Sequence, residues 1–288
     1  MVAFDAQMVV GWVLLPKIFA YLCPSKTTKS TMQYLLVEQR DATLIITLNR
    51  PDKLNALNSG VLEEIYTVIT EATQNDAIRG IILTGSGEKA FAAGADIAEF
   101  AAFDAAGASR LSARGHEILF AIENCPKPVI GAINGFSLGG GNELAMACHL
   151  RVASDNAKFG QPEPKLGLLP GYGATQRLVH LIGKARATEL LITADVIDAQ
   201  TALQYGMVNY VVSREALLPK CMEILEKTYA WSPKAIALTL EAVSAGVNAS
   251  VNGYTVEANL FGEAIASDDG REGAKAFLEK RKPTFTGK

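Results

Sequence analysis

Two glutamates twenty residues apart stand in surroundings that suit acid–base chemistry. Glu143 lies among apolar residues in LGGGNELAMACH, residues 138–149. The triple glycine predicts the start of a short helix, whose first N–H groups favour the charged carboxylate while burial opposes it. Glu163 lies in QPEP, residues 161–164, where two prolines exclude a helix and predict an extended conformation. Taken singly, Glu143 is equally typical of a helix cap, and Glu163 is equally typical of a solvated loop residue.

Two segments of small residues favour a catalytic role for the glutamates. AFAAGAD, residues 90–96, follows a predicted strand, and Gly139–Gly141 form the triple glycine. Small residues let a ligand approach the backbone closely, and one N–H group from each segment could form an oxyanion hole. Paired glutamates beside such a hole indicate enolate chemistry, in which backbone donors polarise a carbonyl while carboxylates transfer protons at neighbouring carbons.

A serine nucleophile is the first alternative. Gly135–Gly139 reads G-x-S-x-G around Ser137, between a predicted strand and a predicted helix, as in α/β-hydrolases. That chemistry requires an acid and then a histidine later in the chain. Only His149 and His180 follow the serine, and none lies in the last hundred residues, so the sequence disfavours this alternative.

Nucleotide chemistry is the second alternative. Neither Gly85-Ser86-Gly87 nor the triple glycine completes G-x-G-x-x-G, and Gly183-Lys184 lacks the remaining residues of a Walker loop. Nucleotide hydrolysis and dinucleotide redox chemistry therefore lose support.

The composition narrows the class of protein further. The chain has 288 residues, 49% of them hydrophobic, which suffices for one large domain with or without an appendage. The 27 basic and 30 acidic residues give a net charge of -3, which argues against a nucleic-acid partner. Four cysteines and three histidines have no ligand spacing. We therefore expect no metal site, and reduced thiols in a cytoplasmic protein.

The first 31 residues differ from the rest. The apolar run before Pro16 is too short to span a bilayer, and no clear signal peptide is present, so we expect no membrane span. Three hypotheses remain: a weak targeting or membrane segment, a packing arm, or upstream sequence before a functional start at Met32, which we favour. KTTKST, residues 26–31, is interpreted as a linker.

Regular elements are predicted from Tyr34 onwards. Apolar and β-branched runs predict strands at 34–39, 44–48, 80–84, 129–133, 150–153 and 208–211, with a hairpin at Asp41-Ala42. Helical spacing predicts helices at 59–72, 105–122, 174–182, 185–192, 199–204, 215–229, 233–245, 251–266 and 271–279. Strand–helix alternation followed by helices predicts an α/β fold, residues 32–288, with a helical C-terminal part from about residue 198.

Five motifs in order resemble those of the enoyl-CoA hydratase (crotonase) family. They are NRPDKLNAL (49–57), KAFAAGADIAEF (89–100), PKPVIGAINGFSLGGGNELAMACHLRVAS (126–154), AKFGQPEPKLGLLPGYGATQRL (157–178) and AFLEKRKPTF (276–285). The resemblance covers the chain from about Met32 to its end. It implies a crotonase (ClpP-like) spiral of ββα units, with a C-terminal helical region that builds trimers or hexamers.

The resemblance also implies roles for particular residues. Backbone N–H groups of Ala95 and Gly140 would form the oxyanion hole for the thioester oxygen of an acyl-CoA. Glu143 would take the proton of water, and Glu163 would deliver a proton to C2. The backbone of Gly171 would help to place that water.

Contacts with coenzyme A are implied for a second group of residues, of which the last two can come from a neighbouring subunit. They are Lys53, Leu54, Ala56, Ala93, Gly94, Asp96, Ile97, Phe277 and Lys280. Coenzyme A is part of the substrate, so no separate cofactor is expected.

The expected activity is that of an enoyl-CoA hydratase, which adds water to a 2-trans-enoyl-CoA and gives a 3-hydroxyacyl-CoA. The alternatives are another crotonase-fold reaction, such as isomerisation or dehydration of a specialised 3-hydroxyacyl-CoA, or a non-catalytic binding protein. The family resemblance implies that a hydratase keeps both glutamates, and this chain has both. Acyl length would depend on the loop around residues 100–110.

Overall fold

The computed structural model describes residues 27–288, with the side chains of residues 32–99 and 103–288. The hypotheses about residues 1–26 lie outside the described part.

Eleven strands and ten α-helices are present in this part of the chain. The strands are β1 (Thr27–Thr31), β2 (Leu35–Arg40), β3 (Thr43–Leu48), β4 (Gly80–Gly85), β5 (Ala90–Ala93), β6 (Val129–Ile133), β7 (Phe136–Leu138), β8 (Leu150–Ser154), β9 (Lys158–Gly160), β10 (Val196–Asp198) and β11 (Tyr210–Val212). The helices are α1 (Ser59–Gln74), α2 (Ala105–Glu123), α3 (Gly140–Ala147), α4 (Ala174–Ile182), α5 (Lys184–Thr193), α6 (Ala199–Tyr205), α7 (Leu217–Tyr229), α8 (Pro233–Gly246), α9 (Gly253–Ala266) and α10 (Asp268–Leu278). Short 3₁₀ helices span Pro51–Lys53, Ile97–Ala102 and Glu163–Leu166.

A seven-stranded sheet in the order β1-β2-β3-β4-β6-β8-β11 forms the centre of the fold. The pairs from β3 to β11 are parallel, and β1 and β2 add antiparallel strands at one edge. Side chains alternate across this sheet. Leu44 and Ile46 face the larger core beneath α1, whereas Ile45 and Ile82 face a smaller core against α7. Because both faces are covered, these strands appear in the sequence as continuous apolar runs.

A second sheet, in the order β10-β9-β7-β5, carries the segments of functional interest. The pairs β5–β7 and β7–β9 are parallel, so the loops after these three strands emerge at the same edge. Those loops lead into Gly94, into α3 and into Glu163. Strands of three or four residues give almost no periodic signal, which is why the sequence did not predict this sheet.

The longer predicted elements are confirmed. The hairpin at Asp41-Ala42 joins β2 and β3, and the helix predicted at 59–72 is α1. The boundaries shift where a cap decides them. For example, α10 begins at Asp268 and not at Arg271, because the Ser267 hydroxyl accepts a hydrogen bond from the N–H of Gly270.

Two local predictions are wrong. Thr27–Thr31 is not a linker but an edge strand paired with β2, a pairing set by the neighbouring strand and not by local hydrophobicity. The extended conformation predicted around Glu163 is also wrong, because Glu163 is the first residue of a 3₁₀ helix. Pro164 is tolerated there since the first residues of a helix have no intrahelical use for their N–H groups.

The described residues contain no helix both long and apolar enough to cross a membrane.

Close packing of α3 on β5 generates a stability prediction. A Cβ atom on Gly141 would overlap the carbonyl oxygen of Ala92, which is backbone and cannot rotate away. We expect Gly141→Ala to lower the free energy of unfolding by about 2 kcal/mol or more, because the helix must shift. Chemical denaturation at fixed protein concentration measures this. Gly246→Ala is the control, since its Cβ would meet open space; equal stabilities of the two variants would contradict the prediction.

Candidate active site

The start of α3 brings Glu143 into the interior. Gly139 adopts a φ of 51°, which turns the chain from β7 into the helix, and all eight residues of α3 are buried. The Glu143 side chain is 1% exposed, and its Oε1 accepts hydrogen bonds from the N–H groups of Tyr172 (2.8 Å) and Ala174 (2.9 Å). Tyr172 lies in the loop before α4 and Ala174 is the first residue of that helix. The entry to α4 therefore fixes the position of the carboxylate.

Burial dominates the protonation of Glu143. Loss of solvation raises the pKa of its carboxyl from the usual 4.5 to about 7, and the nearby charge of Glu163 acts in the same direction. The two backbone hydrogen bonds and the positive charge of Arg177 oppose this rise of the pKa. A carboxyl that titrates near neutral pH suits a group that both accepts and returns a proton.

Glu163 approaches the same region from the loop after β9. Its Oε1 lies beside Gly139, where a Cβ atom would come within 2.8 Å of it. Its Oε2 is buried and has no hydrogen-bond partner among the described residues. Burial raises the pKa of this carboxyl as well. The structure therefore brings the two predicted glutamates together, with one oxygen of Glu163 still able to bind a ligand.

The predicted oxyanion donors are adjacent. A Cβ atom on Gly140 would lie 3.4 Å from the Ala95 nitrogen. Ala95 pairs with Leu57 in a parallel bridge whose bonds use the Leu57 and Asp96 N–H groups, so the Ala95 N–H takes no part in it. Gly140 is the first residue of α3, so its N–H group has no hydrogen-bond acceptor within the helix. Both N–H groups can thus point to one ligand oxygen.

A cavity of about 460 Å³ contains these groups. Its walls combine the predicted site residues with apolar side chains of α2 and of the segment after Glu163. Predicted residues in its lining are Ala93, Gly94, Ala95, Ile97, Gly140, Glu143, Glu163 and Gly171. The other side of the cavity is formed by Phe103, Ala105, Ala108, Leu111, Leu166, Leu168 and Leu169. Binding sites for small molecules are usually apolar clefts that contain a few polar groups, and this cavity has that character.

Part of the loop predicted to set acyl length lies in the cavity wall. Phe103 and Ala105 lie in the lining, whereas the side chains of residues 100–102 lie outside the described part.

The remaining predicted contacts with coenzyme A lie outside the cavity lining. The segment with Lys53, Leu54 and Ala56 lies beside residues 93–95, which include the predicted oxyanion donor Ala95. The Ala93 N–H donates to the Leu54 carbonyl, and the Leu57 N–H donates to the Gly94 carbonyl. The carboxylate of Asp96 forms an ion pair with Arg50, with 2.8 Å between Asp96 Oδ2 and Arg50 Nη2. Phe277 and Lys280 lie at the end of α10, outside the cavity lining in the single chain, and Phe277 is 83% exposed.

The serine alternative loses its geometry. Ser137 is fully buried in β7, and its hydroxyl contacts the Gly141 carbonyl at 3.4 Å. His149 is bound elsewhere, since its Nδ1 accepts from the Val129 N–H and its Nε2 lies 3.1 Å from the Glu123 carbonyl. Neither residue lines the cavity.

Sequence reasoning missed four residues that support the site. The Ser112 hydroxyl on α2 donates to the Gly171 carbonyl at 2.6 Å, and Tyr172 packs on Gly140. Arg177 donates to the Tyr172 carbonyl at 2.8 Å and pairs with Glu123. Only Arg177 could have been noticed in the sequence. It is a charged residue one turn into the amphipathic helix at 174–182, on the face whose other residues are apolar.

The raised pKa of Glu143 generates a prediction about stability. The folded state binds this proton more tightly than the unfolded chain, so the stabilisation is present at low pH and is lost as pH rises towards 7. Glu143→Gln should therefore become more stable relative to wild type, by about 2 to 3 kcal/mol, between about pH 5 and pH 8.5. Denaturation curves at both pH values measure this; a difference that does not change with pH would contradict the raised pKa.

Comparison with known proteins agrees with this arrangement. Residues 38–288 match the family model described as enoyl-CoA hydratase/isomerase. A crotonyl-CoA hydratase of Syntrophomonas wolfei is 44% identical over 255 residues, which cover 88% of this chain and 98% of that protein. A short-chain-enoyl-CoA hydratase of Clostridium acetobutylicum is 41% identical over 249 residues, covering 86% and 95%.

Solved structures give the same result for the fold. An enoyl-CoA hydratase structure from Geobacillus kaustophilus is 42% identical with a TM-score of 0.84, and covers 90% of this chain and 100% of that one. One from Bacillus anthracis is 39% identical with a TM-score of 0.82, covering 89% and 100%. The chain therefore belongs to the enoyl-CoA hydratase/isomerase family, as an enoyl-CoA hydratase with the crotonase fold.

Proposed function

We propose that this chain adds water across the C2–C3 double bond of a short-chain 2-trans-enoyl-CoA, using Glu143 and Glu163 as its acid–base pair. The observation that carries the proposal is that Glu143, Glu163, Ala95 and Gly140 line the same cavity, with Ala95 and Gly140 adjacent. The short acyl chain is proposed from the relatives named for crotonyl-CoA and short-chain enoyl-CoA.

The N–H groups of Ala95 and Gly140 would bind the thioester oxygen. As water adds to C3, negative charge moves onto that oxygen, and two preorganised donors stabilise the enolate more than the substrate. Such donors act strongly here because the cavity wall is mainly apolar, and a low local dielectric strengthens the interaction of an N–H group with a charged oxygen.

Glu143 and Glu163 would divide the proton transfers. In this scheme Glu143, held by backbone N–H groups at the start of α4, accepts a proton from water. The oxygen of that water molecule forms the new bond to C3. Glu163, whose burial favours the protonated form, gives its proton to C2. The active form thus holds one proton between two carboxyls that interact, so the pair titrates with two apparent pKa values. The scheme uses water and side chains of this chain, with no further cofactor.

The second carboxyl group distinguishes hydration from the alternatives. Isomerisation moves one proton between two carbons, and one base suffices for it. Hydration must deprotonate water at one carbon and protonate the next carbon. A non-catalytic binding protein would have no need for two buried carboxyl groups with raised pKa values in its ligand cavity.

Assembly into a homotrimer or hexamer in the cytoplasm is part of the proposal. Trp231, Tyr254, Phe261 and Phe277 are strongly exposed at or on the C-terminal helices, an unusual amount of apolar surface for a monomer. Association of these helices would bury it, and would bring Phe277 and Lys280 of one subunit towards a neighbour's coenzyme A. The three described cysteines are free and buried, which suits a reducing compartment.

Loss of either carboxylate tests the mechanism. Glu143→Gln and Glu163→Gln should each lower kcat for crotonyl-CoA hydration by about 10²- to 10⁴-fold, because each removes one acid–base role. The measurement is the loss of absorbance of the conjugated thioester, followed by analysis of the 3-hydroxyacyl product. The same assay over longer enoyl chains is expected to give the highest kcat/KM for the short ones.

Ser137→Ala is the matched control, and it should retain the wild-type kcat because its hydroxyl does not line the cavity. Wild-type rates in either glutamine variant would refute the assignment, as would thioester hydrolysis that depends on Ser137.

The oligomer prediction uses the exposed helical surface. Phe261→Asp places a charge on this apolar surface and should shift the protein towards monomers, because a buried unpaired charge opposes association. Native mass spectrometry at several concentrations measures the shift. Lys227→Asp, on the exposed face of α7, controls for a general effect of charge; a monomeric wild type would contradict the proposed assembly.

A further inference from the structure

A buried arginine lies behind the site without lining the cavity. Arg177 lies on α4, one turn after the N–H groups that hold Glu143, and is 7% exposed. Its Nη1 donates to the Tyr172 carbonyl at 2.8 Å. Its Nη2 and Nε donate to Glu123 Oε2, at 2.8 Å and 3.2 Å. The guanidinium thus joins the end of α2 to the loop that precedes α4.

The loop between these contacts is the one that binds the carboxylate. Tyr172 donates its N–H to Glu143 and accepts from Arg177 through its carbonyl, so the residue is held on both sides. Gly173 follows with a φ of 110°, and a Cβ atom there would overlap Arg177 Nη1. The next residue, Ala174, gives the second N–H to Glu143. The conformation of the whole loop therefore depends on the place of the guanidinium.

We propose that Arg177, anchored by Glu123, is a positioning residue for Glu143: it fixes the loop of Tyr172–Ala174 that orients the carboxylate, and its charge acts on the same carboxylate. The inference rests on the proposed role of Glu143 and extends it to a second ion pair. Arg177 itself does not line the cavity, so its effect on the reaction is indirect.

The charges around Glu143 determine the sign of the effect. Glu163 raises the pKa of Glu143, whereas Arg177 and the N–H groups of Tyr172 and Ala174 lower it. Burial, and after it the charge of Glu143, raises the pKa of the Tyr172 phenol, and burial, and after it the charge of Arg177, lowers the pKa of His116 on α2. Without the positive charge of Arg177, Glu143 keeps its proton to a higher pH.

Kinetics of two variants test the positioning role. Arg177→Met should lower kcat for crotonyl-CoA by about 10- to 100-fold with KM nearly unchanged, because the carboxylate is misplaced. It should also move the acid limb of kcat/KM to higher pH, by about half a unit or more. Arg177→Lys keeps the charge but not the paired contacts, so kcat falls while the limb stays near its wild-type pH.

Arg151→Met is the matched control. Arg151 is also buried and also binds backbone carbonyls, those of Met207 and Cys148, but it does not contact the loop of Tyr172–Ala174. Its loss should lower the Tm without moving the acid limb. A wild-type kcat and acid limb in Arg177→Met, or the same shift of the limb in Arg151→Met, would overturn the proposal. If Arg177→Met does not fold, a wild-type kcat in Arg177→Lys overturns it.

A double-mutant cycle gives a readout without activity. The Tm loss caused by Arg177→Met should be larger at pH 8.5 than at pH 5.5, because only the ionised Glu143 loses a favourable charge. In the Glu143→Gln background this pH dependence should become smaller, because glutamine has no charge to lose, while the contribution of His116 is common to both backgrounds and cancels in the cycle. An unchanged pH dependence would overturn the coupling even if Glu143 is catalytic. Conversely, coupling in a protein that does not hydrate crotonyl-CoA would refute the proposed function alone.

Discussion

Burial of the Glu143 carboxylate is the constraint on which the rest of the site depends. A carboxylate that is 1% exposed is stable only where hydrogen bonds replace water, and here the N–H groups of Tyr172, just before α4, and of Ala174, its first residue, do so. The start of α4, in turn, keeps its conformation through Gly173 and the arginine behind it. Hydrogen bonds to Glu143 thus join α3 to the start of α4, and the ion pair of Arg177 with Glu123 joins α4 to the end of α2.

The small second sheet determines where the chemistry takes place. Parallel pairing of β5, β7 and β9 brings three loops to one edge, and these loops supply the Ala95 N–H, the Gly140 N–H and Glu163. Glycine is required where the loops touch, because a side chain on Gly141 would overlap β5. Two donors and two carboxylates therefore share a cavity although they come from distant parts of the chain.

The raised pKa values of Glu143 and Glu163 lower the free energy of unfolding as the pH rises. Burial raises the pKa of both Glu143 and Glu163, that of Glu143 to about 7, which suits proton transfer, but the ionised forms are costly to keep inside. The unpaired oxygen of Glu163 shows the same compromise, since a buried acceptor without a partner favours binding of a ligand that can donate to it.

The sequence alone determined the α/β class and the long helices, and it named the candidate site residues that the structure places around one cavity. Apolar periodicity is local, so α1 and the central strands could be predicted, and the motifs around Glu143 and Glu163 carried a family resemblance. Tertiary structure decided what has no local signal: the edge strand at 27–31, the short strands of the second sheet and the 3₁₀ helix at Glu163. It also decided the pairing of Arg177 with Glu123, because residues 54 positions apart meet only when α2 packs beside α4.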